Sequence, residues 1–259
     1  MENLFSLEGR KAVVIGGGGG IGQSIAKGLA FYGAEVAIAS RSIETLRKAA
    51  GEIKKESGKA VHLITVDCSS EESVAELTEK CIGLMGAVHI LVNSQGLNMK
   101  KSALDFDMDV WDQMFDVNVK GMMITCKHFG RGMKEQRYGR IVNVSSIRGV
   151  RAINGDLGNT CYSTTKGAVD MLTKSLAGEW AQYNITVNAI GPILTMTDMM
   201  KPMFENNKPL YEKVCSSIPM GRIGFPDDCI GASVFLASDA AAFITGQVIY
   251  PDGGSCCVG

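Results

Sequence analysis

The sequence predicts an α/β fold, one doubly wound parallel sheet with helices on both faces, and three observations lead there. Short apolar runs alternate with amphipathic segments along all 259 residues. No linker, low-complexity tract or repeat interrupts the alternation, so residues 1–259 read as one domain. Glycines and polar residues collect just after the apolar runs, where the carboxyl edge of a parallel sheet would gather them.

Composition narrows the partners. With 46% apolar residues and a formal charge of -1, the chain has no basic excess to hold a nucleic acid or an anionic membrane. Arg47-Lys48 and Lys54-Lys55 fall in a charged helical pattern that reads as a solvated face. Met1 to Arg10 is too polar for a signal peptide, and no run of about 18 apolar residues marks a membrane span, so a cytoplasmic location is expected. The eight cysteines are scattered and read as reduced, mostly buried thiols, with Cys256-Cys257 taken as packing residues. No C-x-x-C or H-E-x-x-H occurs, and His62, His89 and His128 lie far apart, so no metal site is expected.

The elements follow in order. Lys11-Ala12-Val13-Val14-Ile15 is a strand, Gly16 to Gly20 a glycine turn, and Ile21, Ile25, Ala26 and Leu29 recur at helical spacing. Such a turn lets backbone amides and a helix N-terminus approach a pyrophosphate, because glycine tolerates the dihedrals and leaves no side chain in the way. The strand Glu35 to Ala39 ends in Ser40-Arg41. At this position, about 20 residues past the loop, an acid would bind the ribose 2′-hydroxyl of NAD, whereas an arginine accommodates the 2′-phosphate of NADP. Ser40 stands where the acid would be and Arg41 follows, so NADP is favoured over NAD, which stays possible.

A helix is expected over Ser42 to Ser57, a strand over Val61 to Val66 ending at Asp67-Cys68, a helix over Glu71 to Leu84 and a strand over Ile90 to Val92 ending at Asn93. A long helical region follows Asp109, then a strand over Ile141 to Val144 ending at Ser145-Ser146. Next come the helix carrying Tyr162 and Lys166 and a strand over Thr186 to Ile190, with Pro192 beyond it. The Met-rich region around residues 194–222 reads as a looser, flexible lid, in which Met196, Met199, Met200 and Met203 would suit an apolar group. A helix near Asp228 to Ala237 and a strand around Val248 to Tyr250 complete the Rossmann-like pattern.

Tyr162-Ser163-Thr164-Thr165-Lys166 carries the candidate chemistry. A helix of about 3.6 residues per turn sets positions four apart on one face, so phenol and ammonium would project together. A phenol with a pKa of about 10 is a poor acid or base at neutral pH until a neighbouring cation favours its ionised form. Tyr162 is therefore the candidate proton-transfer group and Lys166 the residue that tunes it.

With Gly16-x-x-x-Gly20-Ile21-Gly22, Asn118-Val119-x-Gly121, Ser146 and Tyr162-x-x-x-Lys166 at this joint spacing, the chain resembles the short-chain dehydrogenase/reductase family over essentially its full length. Asp67, Asn188-x-x-x-Pro192, Pro219-Met220-Gly221-Arg222, Thr245-Gly246-Gln247 and Asp252-Gly253-Gly254 extend the match. The resemblance implies that Ser146 hydrogen-bonds the substrate oxygen, Tyr162 exchanges its proton, Lys166 binds the nicotinamide ribose and lowers the Tyr162 pKa, and Asn118 holds a relay water. Cofactor contacts are implied for Gly16, Gly20, Ile21, Gly22, Ser40, Arg41, Asp67, Cys68, Asn93, Gly96, Pro192 and Thr197, besides Tyr162 and Lys166. A homotetramer through the helices near Asp109 to Met133 and Cys161 to Tyr183 is implied as well.

Several positions depart from the family pattern. Ile15 replaces a threonine, Asn93-Ser94-Gln95-Gly96 replaces Asn-Asn-Ala-Gly, and Ile193 replaces a glycine. Ile147 to Cys161, with Arg148, Arg151, Asn154 and Asp156, is longer than in many members and leaves open which of Ser145 and Ser146 faces substrate; Ser146 fits the motif better. Lys166-Gly167 through Glu179-Trp180 to Pro192, with Leu4-Phe5-x-Leu7-x-Gly9, is similar to gluconate 5-dehydrogenases and related sugar-acid or polyol oxidoreductases. A steroid or acyl substrate is the alternative. An enoyl reductase would space its tyrosine and lysine further apart, where Val169 stands, and a non-catalytic NADP sensor would have no use for the full constellation.

Overall fold

The computed structural model describes residues 3–152, 158–198 and 200–258. Asn154, Asp156 and Met199, singled out above, lie outside the described residues. The strands are β1 (Lys11–Ile15), β2 (Glu35–Ser40), β3 (His62–Thr65), β4 (Ile90–Asn93), β5 (Gly139–Val144), β6 (Ile185–Ile190) and β7 (Val248–Ile249), and they form one parallel sheet in the order β3-β2-β1-β4-β5-β6-β7. Strand order reverses between β1 and β4, where Ala12 pairs with Ile90 and Ile15 with Asn93. That reversal opens the crevice beyond the carboxyl ends of the strands.

Residues of β1 face alternate sides, as a pleated strand requires. Ala12 and Val14 pack with Leu29, Leu46 and Leu236 on one face, while Val13 and Ile15 pack with Leu77, Phe129 and Leu176 on the other. The first face is covered by α1 (Gly20–Phe31), α2 (Ile43–Ser57) and, later in the chain, the helix Ile230–Ala237. The second is covered by α3 (Glu71–Met85), α5 (Gly121–Glu135) and α6 (Thr160–Trp180), with α4 (Met108–Phe115) packed against α6. Each fully buried Leu or Ile stabilises this arrangement by about 2 kcal/mol, and β5 and β6 are buried at every position. Ser42 and Ser70 accept the amides of Thr45 and Ser73, which starts α2 and α3 where the sequence turns helical.

Two stretches differ from the sequence expectation. The helical region after Asp109 is broken by a π-helical turn over Asp116–Lys120, which carries Asn118 between α4 and α5. The Met-rich region is not loose throughout: it contains α7 (Lys201–Glu205) and α8 (Lys208–Ser216), the latter capped by Asn207 accepting the Leu210 amide. The remaining helix, Ile230–Ala237, is α9.

Candidate active site

The glycine turn is set by close approaches rather than by flexibility. Gly16 has φ +77°, and a Cβ on it would stand 2.7 Å from the Ser94 backbone. A Cβ on Gly22 would stand 2.3 Å from the Gly16 carbonyl oxygen. Nothing lies within 4 Å of a Cβ built on Gly19, and no side chain caps α1, so the first amides of that helix are free to meet an anion. This cradle, which side chains would fill, fits the pyrophosphate of a dinucleotide. Beside it, Ser40 and Thr45 crowd Gly18, and Thr197 lies 3.2 Å from a Cβ built on Gly20. Arg41 is exposed at the end of β2 and forms no ion pair among the described residues. Asp67 accepts the Ser69 amide and hydroxyl, and those bonds hold its carboxyl below the usual range. Burial pushes the neighbouring Cys68 thiol up to about 11, so it is neutral.

A cavity of about 770 Å³ runs from Gly19, Ile21 and Gly22 past Ser94 to Lys100 and on to Ser145, Ser146, Tyr162, Lys166 and Pro192. Ser145 and Ser146 sit just past β5. Ser145 donates to the Lys166 carbonyl at 3.3 Å, whereas Ser146 donates to the Pro192 carbonyl at 3.4 Å and accepts the Arg148 amide at 3.2 Å. Ser146, not Ser145, is the serine that favours the ionised form of Tyr162. Asn118 accepts the Leu97 amide at 2.7 Å and donates to the Leu97 carbonyl at 2.9 Å and to Thr165 Oγ1 at 3.0 Å. Both of its amide protons are thereby used, which leaves only acceptor sites for a relay water. The π-helical turn points this side chain inward, between the end of β4 and α6.

Lys166 and Tyr162 share a face of α6, as their spacing predicts. The Lys166 ammonium donates to the Val144 carbonyl at 2.8 Å and lies over the Tyr162 ring, 5.5 Å from its centroid. Burial pushes the Tyr162 pKa up; Ser146 first, then the positive field of Arg148, pull it back. Lys166 itself is lowered to about 8 by burial, against the opposing charge of Asp170. One of the three ammonium protons is thus fixed to the end of β5, with the other two left for further acceptors.

The remaining expected residues divide. Gly96 stands where an added Cβ would be 3.8 Å from Asn118 Oδ1 and 3.9 Å from Lys166 Nζ. Asn93 does not line the cavity: its side chain donates to Asn143 at 3.0 Å and accepts from Thr125 at 2.7 Å, wholly inside the core. Ser40 packs beside Gly18 of the glycine turn and Cys68 beside Gly121, and none of Ser40, Arg41, Asp67 and Cys68 lines the main cavity. Of the methionines expected to receive an apolar group, Met203 lines this cavity and Met196 a second one, and the apolar wall is built by Phe204, Leu210, Val214 and Ile218. The four-residue spacing of Leu210, Val214 and Ile218 is the one trace of that wall in the sequence, too short to mark a helix. Gln95 has both amide atoms buried without a partner among the described residues.

Comparison with known proteins agrees with this architecture. Residues 16–255 match a family model described as enoyl-(acyl carrier protein) reductase. The chain is 37% identical over 250 residues to a 3-oxoacyl-(acyl-carrier-protein) reductase of Aquifex aeolicus, covering 96% of this chain and 98% of that one. It is 33% identical over 252 residues to the gluconate 5-dehydrogenase of Gluconobacter oxydans, covering 97% and 96%. Among solved structures, a gluconate 5-dehydrogenase from Burkholderia cenocepacia in complex with NADP and tartrate superposes with a TM-score of 0.91 at 32% identity, over 99% of each chain.

Proposed function

The chain belongs to the short-chain dehydrogenase/reductase family and is an NAD(P)-dependent oxidoreductase, and on that premise we propose that it interconverts a secondary alcohol and a ketone of a sugar acid or polyol, with NADP as the favoured cofactor. One observation carries the reading: the Tyr162 and Ser146 side chains line the same cavity that opens from the glycine turn, with Lys166 beneath the Tyr162 ring. When bound, the nicotinamide supplies or accepts the hydride at the reacting carbon. Amides at Gly19 to Ile21 receive the pyrophosphate, and Arg41 receives the 2′-phosphate.

Tyr162 gives its hydroxyl proton to the substrate oxygen in reduction and takes it back in oxidation, while Ser146 hydrogen-bonds that oxygen and fixes its position. Lys166 holds the ribose and supplies positive charge below the ring. Asn118 pins the β4 loop to α6 and offers an acceptor to a water that re-protonates the pair. The wall of Phe204, Leu210, Val214 and Ile218 excludes water, with residues 194–222 acting as the lid. Apolar side chains left exposed on the long helices, Met123 and Met171, support a homotetramer; a monomer by light scattering would count against it.

The relatives reduce or oxidise either sugar acids or 3-oxoacyl carriers at similar identity, and the apolar wall favours the 3-oxoacyl thioester as the second reading. The enoyl reductase named by the family model needs a lysine further from Tyr162, and Val169 stands there. A screen of NADPH oxidation across keto-gluconates, ketoses, oxo-steroids and acetoacetyl thioesters tests the reading. Turnover highest on a keto-gluconate or ketose supports it; turnover highest on the thioester replaces it with the second, and none on any carbonyl points to a non-catalytic NADP sensor.

A further inference from the structure

Arg148 follows the candidate catalytic serine by two residues, in the 3-10 turn Ile147–Gly149, and its amide is bonded to Ser146 Oγ at 3.2 Å. That bond ties the arginine backbone to the serine. The half-buried side chain lines the main cavity with Tyr162. Its Nη1 donates to the carbonyls of Arg151 at 3.3 Å and Ala152 at 3.4 Å, while Nε and Nη2 have no partner among the described residues. Arg151 stands close behind, bonded to the Ser255 carbonyl.

Two guanidiniums are thus brought together, and among the described residues, which do not include 153–157, no acid stands between them. Among the described residues neither forms an ion pair, whereas Arg10, Arg140 and Arg222 each reach an aspartate. Burial, and then the like charge of Arg151, lower the Arg148 pKa, as for a cation drawn out of water beside a second cation. Phe204, Leu210 and Ile218 line the same cavity and lower its polarity, so an anion that reaches Arg148 there is held more strongly than at the surface. A guanidinium with two free donor nitrogens matches the two oxygens of a carboxylate.

We infer that Arg148, backed by Arg151, receives the carboxylate of an anionic substrate, a hydroxy acid or its keto acid, in the cavity lined by Ser146 and Tyr162. The inference rests on the reading of that cavity as the substrate site. It names the residue that would select acids over neutral polyols.

Tartrate is the probe and neutral erythritol its control, each titrated by calorimetry into the NADP+ complex of the wild type, Arg148→Gln and Arg148→Lys, with thermal unfolding reporting that each variant is folded. The wild type is expected to bind tartrate at least about tenfold more tightly than erythritol, Arg148→Gln to lose at least about tenfold, and Arg148→Lys to fall between, since it keeps the charge but not the fork. Arg148→Gln binding tartrate as the wild type does, or the wild type binding tartrate no better than erythritol, overturns the inference. A failure to oxidise NADPH with any carbonyl would sink the hydride-transfer reading and leave this binding result standing, so the two fail separately.

Discussion

Lys166 crosses the face of the Tyr162 ring, its ammonium 5.5 Å from the ring centroid and bonded to the Val144 carbonyl instead of the phenol oxygen. The lysine is therefore held by the sheet, in a setting so dry that its pKa falls from 10.5 to about 8. Between those two values the unfolded chain binds more protons than the folded one, so stability rises with pH across that window and is flat below it. Chemical denaturation of the cofactor-free protein at pH 8 and pH 9.5 is expected to show the wild type gaining on the order of 1–2 kcal/mol relative to Lys166→Met. Parallel pH curves for the two proteins would contradict a desolvated lysine.

Asn93 separates scaffolding from ligand contact. Its side chain ties Asn143 on β5 to Thr125 on α5 and is fully buried. Removing it strands those polar partners, and Asn93→Ala is expected to cost about 2–3 kcal/mol in urea denaturation. The NADPH dissociation constant of the folded fraction should stay within about twofold of wild type, because the side chain makes no cavity contact. A tenfold weaker NADPH affinity at full foldedness would return Asn93 to the cofactor site.

Arg41 is exposed beside the glycine turn without an ion pair among the described residues, which leaves its guanidinium available to a 2′-phosphate. Arg41→Ala is expected to lower the ratio of kcat/KM with NADPH to that with NADH by about tenfold or more, mainly through KM. An unchanged ratio, or a wild type that prefers NADH, would remove Arg41 from cofactor selection.

Much of this was legible in the residues themselves. The apolar runs marked the strands most plainly at the centre of the sheet, where β4, β5 and β6 are buried at every position, and Gly16 and Gly22 marked the turn because a Cβ there would collide with backbone. The π-helical turn at Asp116–Lys120 was not legible, since one extra residue per turn hardly alters the apolar period around it. Nor were α7 and α8, whose Phe204, Leu210 and Val214 face a cavity instead of the main core. Asn93 looked like a ligand contact because its type and place suit one, yet a polar residue at a strand end turns inward when Asn143 and Thr125 await it. The direction of the Lys166 ammonium depends on a carbonyl of β5, which the helical spacing of Tyr162 and Lys166 does not contain.

The central claim is that the Tyr162 hydroxyl moves the proton. Tyr162→Phe deletes that hydroxyl and keeps the ring against which Lys166 lies, so NADPH binding measured by fluorescence should remain within about threefold of wild type. On the best substrate of the carbonyl screen, kcat is expected to fall by about 10²–10⁴-fold, the range for loss of a positioned acid. A variant that binds NADPH normally and turns over within about tenfold of wild type would contradict the account.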